Sequence, residues 1–426
     1  MSVRSGRCPW RAIAHASLVA LLLAAAPMLA PRADAREPRG SETSPAASWS
    51  GLIEQAMARG AVDAGALAVQ AEAQGRRTAA SLMIAGPVEA HTAARHDTLG
   101  SDTGYREVEA GLSVQLWRNG ERAALREEAE ALSVLAGAQL DVARLHVAGD
   151  VRAAWWSLAA ASADASVAVE QIVLARDLVA STTRLVEAGE QARLDLLQAQ
   201  AALAEAEAVS SLALGRVAQA RAQLAGLIGA IPAALPSEQP GALPVEQHPR
   251  VRAALAEASQ RLRQARLARV QSGPGWRVGL DVRSERDARG AEMRTSTGVR
   301  VSRPLGRDPS ASAVAAGLDA QANGARRQAD AARLAVEAAQ AEAAAALSAA
   351  RATLVAAIAR RAAAAEALAL TERGWRQGEL SFLELIRART AAAEAGRGAA
   401  VARVAVDAAI SSFNQAQGLL PQDTAR

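Results

Sequence analysis

The chain is poor in the residues that most protein chemistry relies on. It has one cysteine, Cys8, one tyrosine and two phenylalanines in 426 residues, and aromatic residues make up only 2 %. Without a second cysteine there is no internal disulfide and no cysteine metal cluster. With so few bulky rings, an enzyme-like globular core is disfavoured. All of its basic residues are arginines. They are dispersed rather than gathered into the basic patch that nucleic acid requires, so no nucleic-acid partner is expected. The closest thing to a run, Arg261, Arg263, Arg266 and Arg269, has helical spacing and reads as a solvated face. There is no Gly-rich phosphate loop, no His-Glu-x-x-His and no Ser/His/Asp set, so the chain is not read as an enzyme and no cofactor is expected.

What is abundant is alanine, together with Leu, Glu, Gln and Arg, the composition of long and closely packed helices. The first 35 residues read as a signal peptide. Arg4, Arg7 and Arg11 precede the apolar run Ser17–Ala26, which is too short to anchor a helix in a bilayer, and Ala33-Asp34-Ala35 is an A-x-A cleavage site, with Ala30 an alternative. Cys8 lies before the apolar run and so cannot become a lipidated N-terminus. Losing the three arginines brings the formal charge of +4 close to neutral. No later stretch of about 18 uninterrupted apolar residues has the character of a membrane helix. If the exported chain enters a membrane, it is expected to do so as strands.

After the signal, the sequence is written twice. Gly189-Glu190 followed by Leu194-Asp195-Leu196-Leu197 returns as Gly378-Glu379 followed by Leu383-Glu384-Leu385-Ile386. At nearly the same offset, Ala61-Val62-Asp63 matches Pro249-Arg250-Val251, and the Gly86-Pro87 break matches Pro274-Gly275. Gly111-Leu112-Ser113-Val114 matches Gly298-Val299-Arg300-Val301, and Leu227-Ile228-Gly229 matches Ala416-Gln417-Gly418. A repeat of this size implies two copies of one structural unit. The units are residues 36–235 and 250–420, joined by the Pro-rich linker 236–249 and followed by a tail, 421–426. Each reads as helix, two strands, long helix, break and long helix. The strands fall within about 80–117 in the first unit and about 275–305 in the second. The first helix runs from Trp49 to about Thr78. From about Asn119 to Val186 there is no proline, which predicts a helix roughly 65 residues and about 100 Å long. Such a helix needs neighbours along its length.

Three of the four strands alternate cleanly. Val108, Ala110, Leu112, Val114 and Leu116 oppose Glu107, Glu109, Gly111, Ser113 and Gln115. Trp276, Val278, Leu280 and Val282 oppose Arg277, Gly279, Asp281 and Arg283. Met293, Thr295, Thr297, Val299 and Val301 oppose Arg294, Ser296, Gly298, Arg300 and Ser302. The remaining strand, placed at Ser81–Ala90, is irregular. Strands of about ten residues with one apolar and one charged face suit a lipid-facing barrel with a wet interior. A soluble sheet lying on helices is the competing reading. Four strands cannot close, and an open edge is not tolerated in lipid, so a membrane sheet implies oligomerisation. Three copies would supply about twelve strands.

The twofold repeat, the strand-to-helix junction 111–122 with its counterpart 298–307, and the paired turns Val-Glu-Ala-Gly-Glu (186–190) and Trp-Arg-Gln-Gly-Glu (375–379) together resemble the TolC-like family of outer-membrane efflux proteins, across about Ser50 to Leu420. The resemblance implies a mainly α fold with a small β part. In it, a long antiparallel coiled-coil barrel and four transmembrane strands per protomer build a homotrimer around a 12-stranded β-barrel. It implies location in the outer membrane with a periplasmic helical portion. It also implies docking to a periplasmic adaptor and an inner-membrane pump, as the passive duct of a tripartite efflux system. Gly189, Glu190, Gly378 and Glu379 correspond to the adaptor-facing helix tips. Asp195, Glu384, Arg387 and Trp375 correspond to a periplasmic gate, where six carboxylates in a trimer would favour cations. The family often has an acid where Arg387 stands and tyrosine where Trp375 stands. The bland reading makes Asp195 and Glu384 solvated residues paired with arginines, and Trp375 tip packing. The strands lack a full aromatic girdle, with only Tyr105, Trp117 and Trp276 as candidates.

His91, His96, Asp97 and Asp102 share a segment expected to be a solvated loop, and their spacing fits no defined metal site. His146 and His248 stand alone. The alternatives to a duct are a soluble periplasmic coiled-coil adaptor and a structural rod. An adaptor would carry one helical hairpin rather than two near-equal halves.

Overall fold

A computed structural model describes residues 48–97, 103–306 and 308–421. The proposed signal and cleavage site, Cys8, Asp102, Arg307 and most of the tail fall outside these residues. The order of elements is α1 (Trp49–Gly60), α2 (Ala64–Ser81), β1 (Glu89–His96), β2 (Arg106–Gln115), α3 (Glu121–Glu187), α4 (Arg193–Ile228), a short 3₁₀ turn (Val245–Gln247), α5 (Pro249–Gln271), β3 (Arg277–Arg286), β4 (Arg294–Ser302), α6 (Pro309–Arg376) and α7 (Phe382–Ala416). The fold is mainly helical with one small antiparallel sheet.

Helices α3 and α6 have 67 and 68 residues, so each runs about 100 Å. They persist because no proline interrupts them and because alanine, the best helix former, fills their contact faces. Ala129, Ala148, Ala199, Ala213 and Ala395 are almost completely buried between helices. The α3–α4 and α6–α7 hairpins pack along their lengths, and α3 also meets α2, α5 and α7. Side chains this small let helix axes approach closely. A larger apolar cluster sits at one level only. There Trp49, Leu52 and Ile53 of α1 pack on Val147 and Val151 of α3 and on Leu224 and Ile228 of α4, and Trp49 meets Trp155 edge-on at 6.3 Å.

The segment between α4 and the 3₁₀ turn is fastened at the same level. Arg152 and Glu238 form a buried pair, with Arg152 Nε 3.0 Å from the carboxylate. Ser411 and Asn414 of α7 also donate to Glu238, at 2.6 and 3.2 Å. Arg152 further donates to Gln415 and to the Leu419 carbonyl, and Trp49 Nε1 donates to the Pro236 carbonyl at 3.0 Å. The linker is thereby held against α3 and α7.

Residues at the strand-to-helix junctions tie the two halves together. The Arg118 guanidinium donates to the Gly273 carbonyl at 2.8 Å, and the Leu116 N–H donates to the Trp276 carbonyl at 2.9 Å. Arg122 donates to the carbonyls of Ala80 and Ser81.

Three expectations require correction. The first strand is not Ser81–Ala90 but Glu89–His96. Ser81 closes α2, and Pro87, which has no N–H to give a ladder, lies in the irregular run that follows. His91 and His96 therefore belong to a strand and not to a solvated loop, and they point to opposite faces. The single helix from Trp49 to Thr78 is two helices, parted at Ala61, whose φ of 46° is left-handed. Apart from these corrections, α3 and α6 each contain a window with mean hydropathy 1.4, long and apolar enough to cross a membrane by length and composition alone, though neither window is an uninterrupted apolar run. Runs of alanine raise hydropathy without making a membrane helix. The arginine face of α5 is as expected: Arg263 and Arg266 both reach Glu127, and Arg269 reaches Asp319.

Candidate functional site: a two-faced sheet and paired helix tips

The sheet order is β1-β2-β3-β4, antiparallel throughout. Its register sorts the side chains by chemistry. One face carries the rows Ala90–Leu112–Leu280–Val299, Thr92–Ala110–Val282–Thr297 and Val114–Val278–Val301. This apolar face is bare: Leu280 and Val299 keep 66 % and 68 % of their surface open. An uncovered face of this kind marks a surface meant for lipid or a partner.

The opposite face is charged and internally paired. Glu107 is buried between Arg95 and Arg283, each 2.9 Å away, and also accepts from Tyr105. Glu109 pairs with Arg300, which also lies 3.2 Å from Asp281. Arg277 pairs with Glu89. Among the described residues, β1 and β4 each have one edge without a neighbouring strand.

The two helix tips are built alike. At the end of α3, Gly189 (φ 76°) donates to the Val186 carbonyl and Glu190 to the Leu185 carbonyl. At the end of α6, Gly378 (φ 77°) donates to the Trp375 carbonyl and Glu379 to the Gly374 carbonyl. This pair of bonds closes a helix with a left-handed residue, for which glycine carries no Cβ penalty. The tips also touch each other. Leu178 of α3, Ala199 of α4 and Phe382 and Leu385 of α7 form one buried cluster, with Trp375 against it. Trp375 lies 6.1 Å from the Phe382 ring and is half-buried, so its contacts here are packing.

The matched acids differ. Glu384 is the third residue of α7 and closes a capping box, accepting from the Ser381 N–H at 2.8 Å while Ser381 Oγ accepts from the Glu384 N–H. These bonds, with nearby Arg387, hold its carboxyl below the ordinary glutamate value. Asp195 is the third residue of α4, but Ala192 has no side chain with which to cap. Glu384 and Arg387 are exposed and Asp195 is half-buried.

Two features were not visible in the sequence. Asp164, midway along α3, is clamped by Arg397 of α7 and Arg216 of α4, and the hydrogen bond from Arg397 is the main cause of its lowered pKa. On the charged face of the sheet, His91, Glu109 and Asp281 bring three potential ligand atoms within 4.8 Å of one another. Of the three residues with which His91 was grouped by sequence, His96 faces away, Asp97 is engaged by the N–H groups of Thr103 and Gly104, and Asp102 lies outside the described residues.

The fold is that of a set of solved channels. The outer-membrane channel OprN superposes with a TM-score of 0.70 at 20 % identity, covering 87 % of this chain and 89 % of its own. The outer membrane protein VceC of Vibrio cholerae gives 0.69 at 16 % identity, covering 87 % and 96 %. The CmeC outer membrane channel of Campylobacter jejuni gives 0.68 at 13 % identity, covering 92 % of each. A sequence comparison with curated proteins gives no significant match. The profile of the outer membrane efflux protein family matches residues 56–230, from within α1 through the end of α4. Residues 56–230 thus match the outer membrane efflux protein family, in a chain whose fold is that of the solved outer-membrane channels.

Proposed function

We propose that three copies of this chain assemble into an outer-membrane duct, the passive exit of a tripartite efflux system. The observation that carries the reading is the two-faced sheet. Its apolar side is exposed over about the length that crosses a bilayer, and its charged side suits a water-filled lumen. Its free edges demand closure in lipid, and twelve strands from three protomers provide it. The α3–α4 and α6–α7 hairpins then extend about 100 Å into the periplasm as a tunnel. Their tips at Gly189, Glu190, Gly378 and Glu379 are the surface offered to an adaptor. Asp195 and Glu384, one turn inside those tips, stand where they would ring the entrance. Energy comes from an inner-membrane pump, and the chain itself catalyses nothing.

The test is fractionation of the expressed protein, with the detergent-extracted species sized. A trimer in the outer membrane is expected. A soluble periplasmic monomer would overturn the reading and leave the sheet as part of a soluble protein.

A further inference from the structure

We infer that His91, Glu109 and Asp281 form a binding site for a divalent transition-metal ion on the charged face of the sheet. The site lies within one protomer, so it stands or falls independently of the trimer.

The register makes the site. His91, Gly111, Asp281 and Gly298 form one row across all four strands. His91 and Asp281 are thus not direct neighbours, and they meet only over Gly111. A Cβ on Gly111 would stand 2.2 Å from Asp281 Oδ1 and 2.6 Å from His91 Cε1. The missing side chain is the space in which the two groups converge, His91 Nε2 lying 2.8 Å from Asp281 Oδ1. Glu109, from the adjoining row of β2, brings its carboxylate to 3.8 Å from the same nitrogen.

The second observation concerns how the two close atoms face each other. Asp281 is nine-tenths buried, and neither its Oδ1 nor His91 Nε2 has a hydrogen-bond partner. At 2.8 Å they are close enough to form an ion pair, yet no hydrogen bond joins them. Two donor atoms that approach closely, exclude solvent and do not bond to one another are arranged as ligands of a shared ion. Ligands held at about 2.0–2.2 Å from one tetrahedral ion lie about 3.3–3.6 Å apart, between the 2.8 and 3.8 Å at which the two carboxylates stand from His91 Nε2.

One imidazole and two carboxylates suit zinc and its neighbours rather than soft monovalent ions. Three protein ligands leave a coordination position for water or for exchange, as expected where an ion pauses rather than where it holds a fold together. Arg300 is the competing cation. It pairs with Glu109 and lies 3.2 Å from Asp281, and its exposed side chain is free to withdraw when a doubly charged ion arrives.

The probe is Zn²⁺ titrated into the detergent-extracted protein by calorimetry, with Co²⁺ absorption reporting the ligand field. Saturable binding is expected, at one ion per chain. His91→Ala and Asp281→Asn should weaken it by more than the roughly 10- to 100-fold that loss of an outer-shell partner causes. Gly111→Ala should weaken it similarly while removing no ligand, and Arg300→Gln should tighten it. Each variant is compared at wild-type size in detergent. If Gly111→Ala does not fold, His91→Ala and Arg300→Gln decide. Absence of saturable Zn²⁺ binding in the wild type, or binding unchanged in His91→Ala, overturns the site.

Discussion

Glu384 accepts a hydrogen bond from the backbone N–H of Ser381 at 2.8 Å, closing a capping box at the start of α7, whereas its counterpart Asp195 faces Ala192 and has no box to close. The two hairpins, alike at their turns, are therefore unequal in how firmly their returning helices begin. Ser381→Ala should destabilise the start of α7 by about 1 kcal/mol, read as lost hydrogen-exchange protection over 382–385. Glu384 has a lowered pKa, so its contribution is present above the ordinary glutamate range and disappears as pH falls through the lowered value. The protection factor at the start of α7, exchange corrected for its intrinsic pH dependence, should fall on acidification in the wild type and stay constant in Glu384→Gln.

The same acids bear on permeation. If Asp195 and Glu384 ring the entrance, Asp195→Asn and Glu384→Gln should each reduce cation preference in single-channel recordings, and the double variant should reduce it further. Preference unchanged in all three would remove both residues from the gate.

Gly189 and Gly378 have φ near +76° and no neighbouring atom within reach of an added Cβ. Alanine there meets only backbone strain, about 1–2 kcal/mol at each turn. Thermal unfolding should fall modestly for each substitution, because the turns obey the same local rule, and the double variant should show coupling, because the two tips share one packed cluster.

The bare face of the sheet makes a sharper prediction. An arginine at Leu280 or Val299, in the middle of the apolar rows, should cost about 2–4 kcal/mol if that face meets lipid. The outer-membrane trimer should then be depleted on a sizing column. Arginine at Ser296, on the charged face, should leave assembly unchanged. Equal yields of all three variants would show that the apolar rows do not face a bilayer.

Within the helical body, Arg152 and Glu238 form the buried pair that holds the linker. Glu238→Ala leaves Arg152 buried and unpaired, a loss of about 3–5 kcal/mol measured by chemical denaturation. Burial raises the Glu238 pKa, but Arg152, Ser411 and Asn414 outweigh it and the net value is lowered. The stabilisation is therefore complete above the ordinary glutamate range and is lost as pH falls through the lowered value. Acid unfolding should begin at higher pH once Ser411→Ala removes one of those bonds.

Much of the fold could be read from the sequence because its signals are local. The proline-free stretch after Asn119 became α3, and alternation placed β2, β3 and β4. Strand β1 escaped because the positions on its apolar face hold Ala90, Thr92 and Ala94, too small and too mixed to show a period of two. The tips were legible through Gly189 and Gly378, whose left-handed turns follow from residue type. The meeting of His91 with Asp281 was not legible, since it depends on a register that joins distant strands and on the gap at Gly111. The Asp164–Arg397 clamp was hidden likewise, being set by how α3 and α7 lie side by side.

The alanine that fills the helix contacts also sets how this body can move. An alanine has no χ angle, so a helix sliding past its neighbour on alanine has no rotamers to exchange and no interlocked side chains to lift over. Resistance to such sliding is concentrated instead where large or charged groups interlock: the Trp49–Trp155 level, the Asp164 clamp and the Trp375–Phe382 contact. The long hairpins are thus smooth rods pinned at a few heights, and how far one helix slides past its neighbour is controlled by the pins rather than by the rods.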